Sequence, residues 1–428
     1  MINKELLVEV KNRQKTFLKN LGTRACLLSS GYEKVRNSDV NHSFRQLSDF
    51  TYLTAFPEPD SIAFFDPEHE SENYILFVRE SDRFMELWNG FRYGVEGTLE
   101  TFQADAVYSI KDLETILTDR LSKREVAFFV EGEHPLEERL RKITTLTDGE
   151  EQSRIRFDLN YQRMIKTPWE LSQIRLANEI SIEAHHRLMQ ATPKSSFEYE
   201  LQAEFDYYCT KSGFPSQAYG GIFASGANAC CLHYTANNQS VKFGDLVLVD
   251  AGTEVNSYAS DITRTFPANG TFTDEQALFY DLTLEAMNKT IEFCEPGKDL
   301  NQMHDFCTEI LAEGLIDIGL LKGSVEENIE SKAIKKYFPH GTGHFLGLDV
   351  HDVRGRETVP FEEGMVFTVE PGIYIQDYDD NAPDNFKGIG IRIEDNIAIT
   401  KDGHENLTPN CVKEPKDVEA MVQSGLNK

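Results

Sequence analysis

The chain has 428 residues, enough for two or three domains and a sizeable core. Hydrophobic residues make up 40% and charged residues 27%, which excludes a disordered chain. Its 71 acidic and 43 basic residues leave a net charge of −28, which phosphate backbones and anionic lipid surfaces repel, so neither nucleic acid nor a membrane is expected as a partner.

The first twenty residues interleave Lys4, Glu5, Glu9, Lys11, Arg13, Lys15 and Lys19, so no apolar leader core is expected there, and no run of about 18 apolar residues is present to span a bilayer. Seven scattered cysteines without a C-x-x-C pair read as reduced thiols of a cytoplasmic protein, with the adjacent Cys230 and Cys231 expected in the core. Residues 61–65, 74–78 and 126–130 are short apolar runs that predict strands, separated by charged, helix-favouring stretches such as 112–124. That alternation predicts an N-terminal α/β domain over residues 1–165.

The texture changes at Thr167-Pro168-Trp169-Glu170, where Thr167 can cap a helix, Pro168 fits its first position and Glu170 closes a capping box. Leu171, Ile174, Ala177, Ala184 and Leu188 then form an apolar stripe at helical period. A second domain, 166–428, is expected to start here. Another helix begins at Thr273-Asp274-Glu275-Gln276 and stops before Pro296-Gly297, and a third runs over 300–315. Strand-like segments at 246–251, 258–266, 366–370 and 389–400 give this domain an α+β character.

The chemistry sits at the ends of those strands. Asp250 closes an apolar run, where a bare carboxylate is costly, and Asp261 follows on the next segment. A hairpin turning at Val255-Asn256 would set the two directly opposite each other, as a metal clamp or as two exposed aspartates. His340, His344 and His351 cluster in a glycine-rich stretch that predicts a shaped loop rather than a helix. Glu370 ends the run 366–369, and Arg392 and Glu394, two apart, share one strand face. Four carboxylates with imidazole match two divalent cations, and an oxygen-rich donor set favours Mn²⁺ over structural zinc. Two such ions can hold a hydroxide and polarise a carbonyl. G-x-S-x-G, H-E-x-x-H and P-loop motifs are absent.

Together with Ala224-Ser225-Gly226-Ala227-Asn228-Ala229 leading to His233-Tyr234, these segments resemble the metallopeptidases whose catalytic domain has the pita-bread fold. The stretch Phe44-Arg45-Gln46-Leu47-Ser48-Asp49-Phe50-Thr51-Tyr52-Leu53-Thr54 resembles the N-terminal domain of aminopeptidase P and some prolidases. The resemblance implies metal ligands at Asp250, Asp261, His344, Glu370 and Glu394. It also implies an Xaa-Pro aminopeptidase that uses Mn²⁺ and a metal-activated hydroxide to release the residue before proline. In that reading Glu370 is also the general acid/base. His351 and His340 stabilise the tetrahedral intermediate and position substrate, His233 approaches the leaving proline, and Arg392 orients Glu394 and its neighbours by bidentate bonding. The alternatives are a prolidase confined to dipeptides, toward which Thr342 does not lean, and, in a different class, a metal-free peptide-binding module. A homodimer or homotetramer is expected, with the N-terminal domain at an interface or limiting substrate length. Trp88 stands either as an aromatic wall at the site entrance or as a core residue.

Overall fold

The computed structural model describes residues 4–121, 124–129, 135–147, 149–353 and 359–426. The chain forms two compact units, Met1–Gln162 and Arg163–Lys428.

The first unit is built on a mixed sheet whose strands lie in the order Ala106–Ser109, Tyr74–Val78, Ile62–Phe65, Ala25–Ser29, Glu125–Phe129 and Thr145–Leu146. The central strands are apolar except at their ends, Ser29 and Glu125, because helices cover them, and a strand buried on both faces has no reason to alternate. Leu113, Leu117 and Leu121 of the helix Leu113–Leu121 and Leu140 of the helix Pro135–Ile143 pack on Leu27, Phe64, Ile75 and Phe77. From the helix Lys4–Leu21, Phe17 meets Phe65 edge to face. Val130, expected within a strand, lies outside the described residues. Trp88 is 72% exposed on the short helix Arg83–Asn89, so its reading as a core residue is wrong, and Phe84, Leu87 and Phe91 are exposed beside it.

The second unit is α+β. The expected capping box forms at Thr167 and Glu170, opening the helix Pro168–Ala191, and the helix expected at Thr273, Asp274–Phe293, opens on a capping box of Thr273 and Gln276. Ala177, Ala184 and Leu188 of the first helix bury against Val247, Val249 and Phe266 of an antiparallel sheet ordered Thr263–Pro267, Leu246–Asp250, Ile222–Ser225. A second sheet pairs Val366–Val369 with Asp395–Thr400, and a ribbon pairs Gly372–Tyr374 with Gly390–Arg392.

Two expected strands are broken. Segment 258–266 divides into Tyr258–Ala259 and Thr263–Pro267, and 389–400 into Gly390–Arg392 and Asp395–Thr400. Asp261 lies in the first break and Glu394 in the second. Of the adjacent cysteines, Cys230 is buried but Cys231 is exposed, against the expectation of two core residues. No described helix is long and apolar enough to cross a membrane.

Candidate metal centre

Strand geometry brings the acids together, but in a register that differs from the expected one. The hairpin turns at Asn256-Ser257, both with positive φ, and Val255 pairs with Tyr258. Asp250 therefore stands opposite Thr263, and Asp261 is a diagonal neighbour on the same face instead of a direct partner. Ser260 presses so close that a Cβ on Gly252 would lie 1.8 Å from its carbonyl oxygen, so only glycine permits this approach opposite Asp261. The two carboxylates still converge: Tyr219 Oη contacts Asp250 Oδ1 at 2.6 Å and Asp261 Oδ1 at 2.5 Å. A hydroxyl has one hydrogen, so it serves only one of them at a time.

The histidine loop is docked on the strand Val366–Val369. Leu346 N donates to Val366 O and Thr368 N to His344 O, each at 2.9 Å. A Cβ at Gly343 would sit 1.9 Å from Thr368 O, so only glycine permits this approach. His344 Nδ1 lies 3.1 Å from the carbonyl of Phe345, an acceptor only, which places a proton on Nδ1 and turns Nε2 toward the carboxylates, where a cation would take the place of the second ring proton. Nε2 is 3.3 Å from Asp261 Oδ2 and 3.4 Å from Glu370 Oε1. Thr368 Oγ1 accepts from His344 N and donates to Glu370 Oε1 at 3.2 Å, so one threonine ties both ligand candidates.

Asp261, His344 and Glu394 present donor atoms all within 4.8 Å of one another. Thr263 Oγ1 donates to Glu394 Oε2 at 2.6 Å, and Oε1 of the same carboxylate is buried with no protein partner among the described residues. Burial, then the charges of Asp261, Glu370 and Asp250, push the Glu394 carboxyl well above its ordinary range. Burial and Asp250 likewise raise Asp261. Glu370 is pushed up to about 7, chiefly by burial, with His344 opposing. Asp250 is held low: burial acts upward, but the Arg392 guanidinium and the Tyr219 hydroxyl together outweigh it. Such a cluster cannot ionise fully without positive charge inside it, and the orphaned Glu394 oxygen and His344 Nε2, which faces Asp261 and Glu370, mark where a cation would be held.

Arg392 departs from the expected bidentate grip on Glu394. It donates to Asp250 Oδ2 at 2.6 Å, Tyr374 Oη at 2.8 Å and Thr263 Oγ1 at 3.2 Å, reaching Glu394 only through that threonine. His340 is committed at both ring nitrogens, 2.8 Å from Gly341 O and 2.8 Å from Tyr374 Oη. Desolvation, reinforced by Arg392, pushes it down to about 4. His351 is exposed at the cavity, its ring centroid 4.4 Å from that of His344. The turn carrying His351 is anchored by the buried Asp352, which pairs with Arg163 at 2.6 Å and Lys166 at 3.1 Å. His233 is exposed on the cavity wall and makes no hydrogen bond among the described residues.

The five ligand candidates, Tyr219, Arg392 and the three other histidines line one cavity of about 740 Å³, with Ile222 and Leu232 forming apolar wall. Tyr219, Thr263, Thr368 and Tyr374 escape a reading of the sequence. Thr263 and Thr368 carried a signal, since each is two positions from an acid, Asp261 and Glu370, and so shares its face on an extended strand.

Two family models match the chain: Metallopeptidase family M24 over residues 172–401 and Aminopeptidase P, N-terminal domain, over residues 10–129. The chain is 40% identical over 420 residues to the Xaa-Pro aminopeptidase of Haemophilus influenzae, covering 96% of each. It is 38% identical over 413 residues to that of Escherichia coli, covering 93% of each. Among solved structures it is similar to aminopeptidase PepP of Pseudomonas aeruginosa, with a TM-score of 0.93, 37% identity and 99% of each chain covered. It is also similar to Escherichia coli aminopeptidase P with the inhibitor Pro-Leu, with a TM-score of 0.91, 35% identity and 99% of each chain covered.

Proposed function

The chain belongs to metallopeptidase family M24, and from that premise we propose how its residues divide the work of catalysis. The enzyme releases, in a metal-dependent reaction, the N-terminal residue of peptides with proline in second position. Its pita-bread catalytic unit is preceded by an aminopeptidase P N-terminal domain.

The observation that carries the metal reading is the convergence of Asp250, Asp261, His344, Glu370 and Glu394 with one Glu394 oxygen left unpaired. Four carboxylates offer formal charge for two divalent ions, and one imidazole among oxygen donors favours Mn²⁺. When bound, the ions supply Lewis acidity to water and to the scissile carbonyl. Glu370 takes the proton of the attacking water and returns it to the proline nitrogen; Thr368 holds its Oε1, which leaves Oε2 for the proton. His351 faces the developing oxyanion from beside His344. His233, with no competing partner, meets the leaving proline. His340 acts through Tyr374, which holds Arg392 against Asp250.

The bond before proline is a tertiary amide with no N–H to grip, so shape must replace a hydrogen bond. Ile222 and Leu232 offer a pyrrolidine ring that surface. The exposed Phe84, Leu87, Trp88 and Phe91 support a homodimer or homotetramer, and seven free cysteines support a reducing cytoplasm.

The test is product analysis with metal-stripped protein, with and without Mn²⁺, on Xaa-Pro and Xaa-Pro-Xaa. Mn²⁺-dependent cleavage of the tripeptide is expected. Cleavage of the dipeptide alone would make it a prolidase, and cleavage of neither would return the binding-module reading.

A further inference from the structure

Glu198, the first residue of the helix Glu198–Lys211, is completely buried. Its Oε1 accepts from Ser225 N at 2.8 Å, Ser225 Oγ at 2.8 Å and Asn228 Nδ2 at 2.9 Å. Its Oε2 accepts from Tyr234 Oη and Gln239 N, each at 2.8 Å. None of these donors is cationic. Its backbone N–H also donates to Gln239 O at 3.0 Å, and Val241 N donates to Ser196 O at 2.9 Å.

Both ends of segment 226–240 are thereby tied to one side chain. Apart from the 3₁₀ turn Gly226–Cys230 the segment has no regular structure, yet it places Leu232, His233 and Thr235 on the wall of the catalytic cavity. His233 makes no hydrogen bond among the described residues, so its backbone alone places its ring. Glu198 ties that segment down at Asn228, before His233, and at Tyr234 and Gln239, after it; Cys230 O, which accepts from Gln376 Nε2 at 3.0 Å, and Asn237, which bonds Phe223 N and Gly221 O, add two further anchors.

We propose that Glu198 is a positioning residue for proline recognition: it holds segment 226–240 so that His233 faces the leaving proline. This rests on the role of His233 given above. An ionised carboxylate accepts every one of these bonds, whereas an amide turns N–H groups toward donors and strands them. Glu198→Gln is therefore a disruptive change here.

The test places Glu198→Gln and Tyr234→Phe in the wild-type and His233→Ala backgrounds and measures kcat and KM on Xaa-Pro-Xaa, metal content and local hydrogen exchange. Glu198→Gln should lower kcat/KM by about 10²-fold, the scale of a displaced positioning group. With His233 already removed, the further loss should be under about threefold, because the two residues act as one unit. Metal content should be unchanged. Exchange should quicken in 226–240 and stay slow in 246–250 and 366–369. Tyr234→Phe keeps four of the donors and the fold, and its smaller loss should also vanish beside His233→Ala. Equal losses in both backgrounds, or unchanged exchange in 226–240, would overturn the proposal. A wild-type enzyme inactive on the tripeptide would instead sink the peptidase reading, while the exchange pattern still decides whether Glu198 anchors the segment.

Discussion

Thr263 gives its hydroxyl hydrogen to Glu394 Oε2 across 2.6 Å, from the position directly opposite Asp250 in the neighbouring strand. The same hydroxyl accepts from Arg392. One small side chain thus links the guanidinium that holds Asp250 to the carboxylate with the unpaired oxygen. Thr263→Val keeps the shape and removes the link. Outer-shell losses of this kind weaken metal binding by about 10–100-fold, and competition against a chelator of known affinity would measure it. An unchanged affinity would show that Glu394 orients itself.

Glu370→Gln should keep the fold and lower kcat by about 10²-fold or more, since the proton carrier and one ligand charge go together. Turnover on Xaa-Pro-Xaa and a melting curve check it. Near-normal hydrolysis would remove Glu370 from the proposed role. Asp261→Asn should reduce the metal retained after purification, read by elemental analysis.

Proton and metal should compete at this centre. Without cations, Glu370 titrates near about 7, and burial raises Asp261 and Glu394 as well. Folded-state values raised above unfolded ones favour the metal-free fold at low pH, an advantage lost as pH rises through the folded values. Metal loading must displace those protons. The gap in melting temperature between Mn²⁺-loaded and stripped protein should therefore widen from pH 5 to pH 8. A gap that narrows over this range would contradict the assignment of these carboxylates as ligands.

His185 acts with the opposite sign. Its Nε2–H donates to Ala251 O at 3.0 Å, beside Asp250 in the chain, and its Nδ1 is buried without a partner among the described residues. Burial pushes it down to about 3, from 6.5. Between those values the unfolded chain binds the extra proton, so stability falls as pH drops from 6.5 toward 3, by up to about 1.4 kcal/mol per pH unit. Denaturant titrations across that window should show the slope, and His185→Phe should flatten it while losing the hydrogen bond to Ala251.

Asp352→Asn would leave Lys166 and Arg163 buried with an amide in place of their shared carboxylate. Removing one member of a buried ion cluster costs about 3–5 kcal/mol, which chemical denaturation would resolve. Asp349→Asn, at a half-exposed partner of Arg163, should cost under about 1 kcal/mol. A small loss at Asp352 would mean that water already reaches the cluster.

Local chemistry made part of this molecule legible from sequence. Thr167 and Thr273 announced their helices because a capping box is satisfied within four residues. The runs 74–78 and 246–250 announced buried strands because apolar continuity does not depend on what lies across the sheet. Asp250, Glu370 and the histidine stretch stood out as polar groups at the ends of such runs. Contacts over long separations left no such trace. The register of the 250–263 hairpin depended on Asn256 and Ser257 accepting positive φ, and on Ser260 closing against Gly252. The strand breaks that release Asp261 and Glu394 could not be read from runs of β-favouring residues, since propensity sees no partner strand. Tyr219, Thr263, Tyr374 and Glu198 are ordinary residues in the sequence, and they gain their roles only when folding delivers donors and acceptors from distant segments to within 3 Å. Buried polar atoms must find partners, and which partners those are is decided by tertiary structure alone.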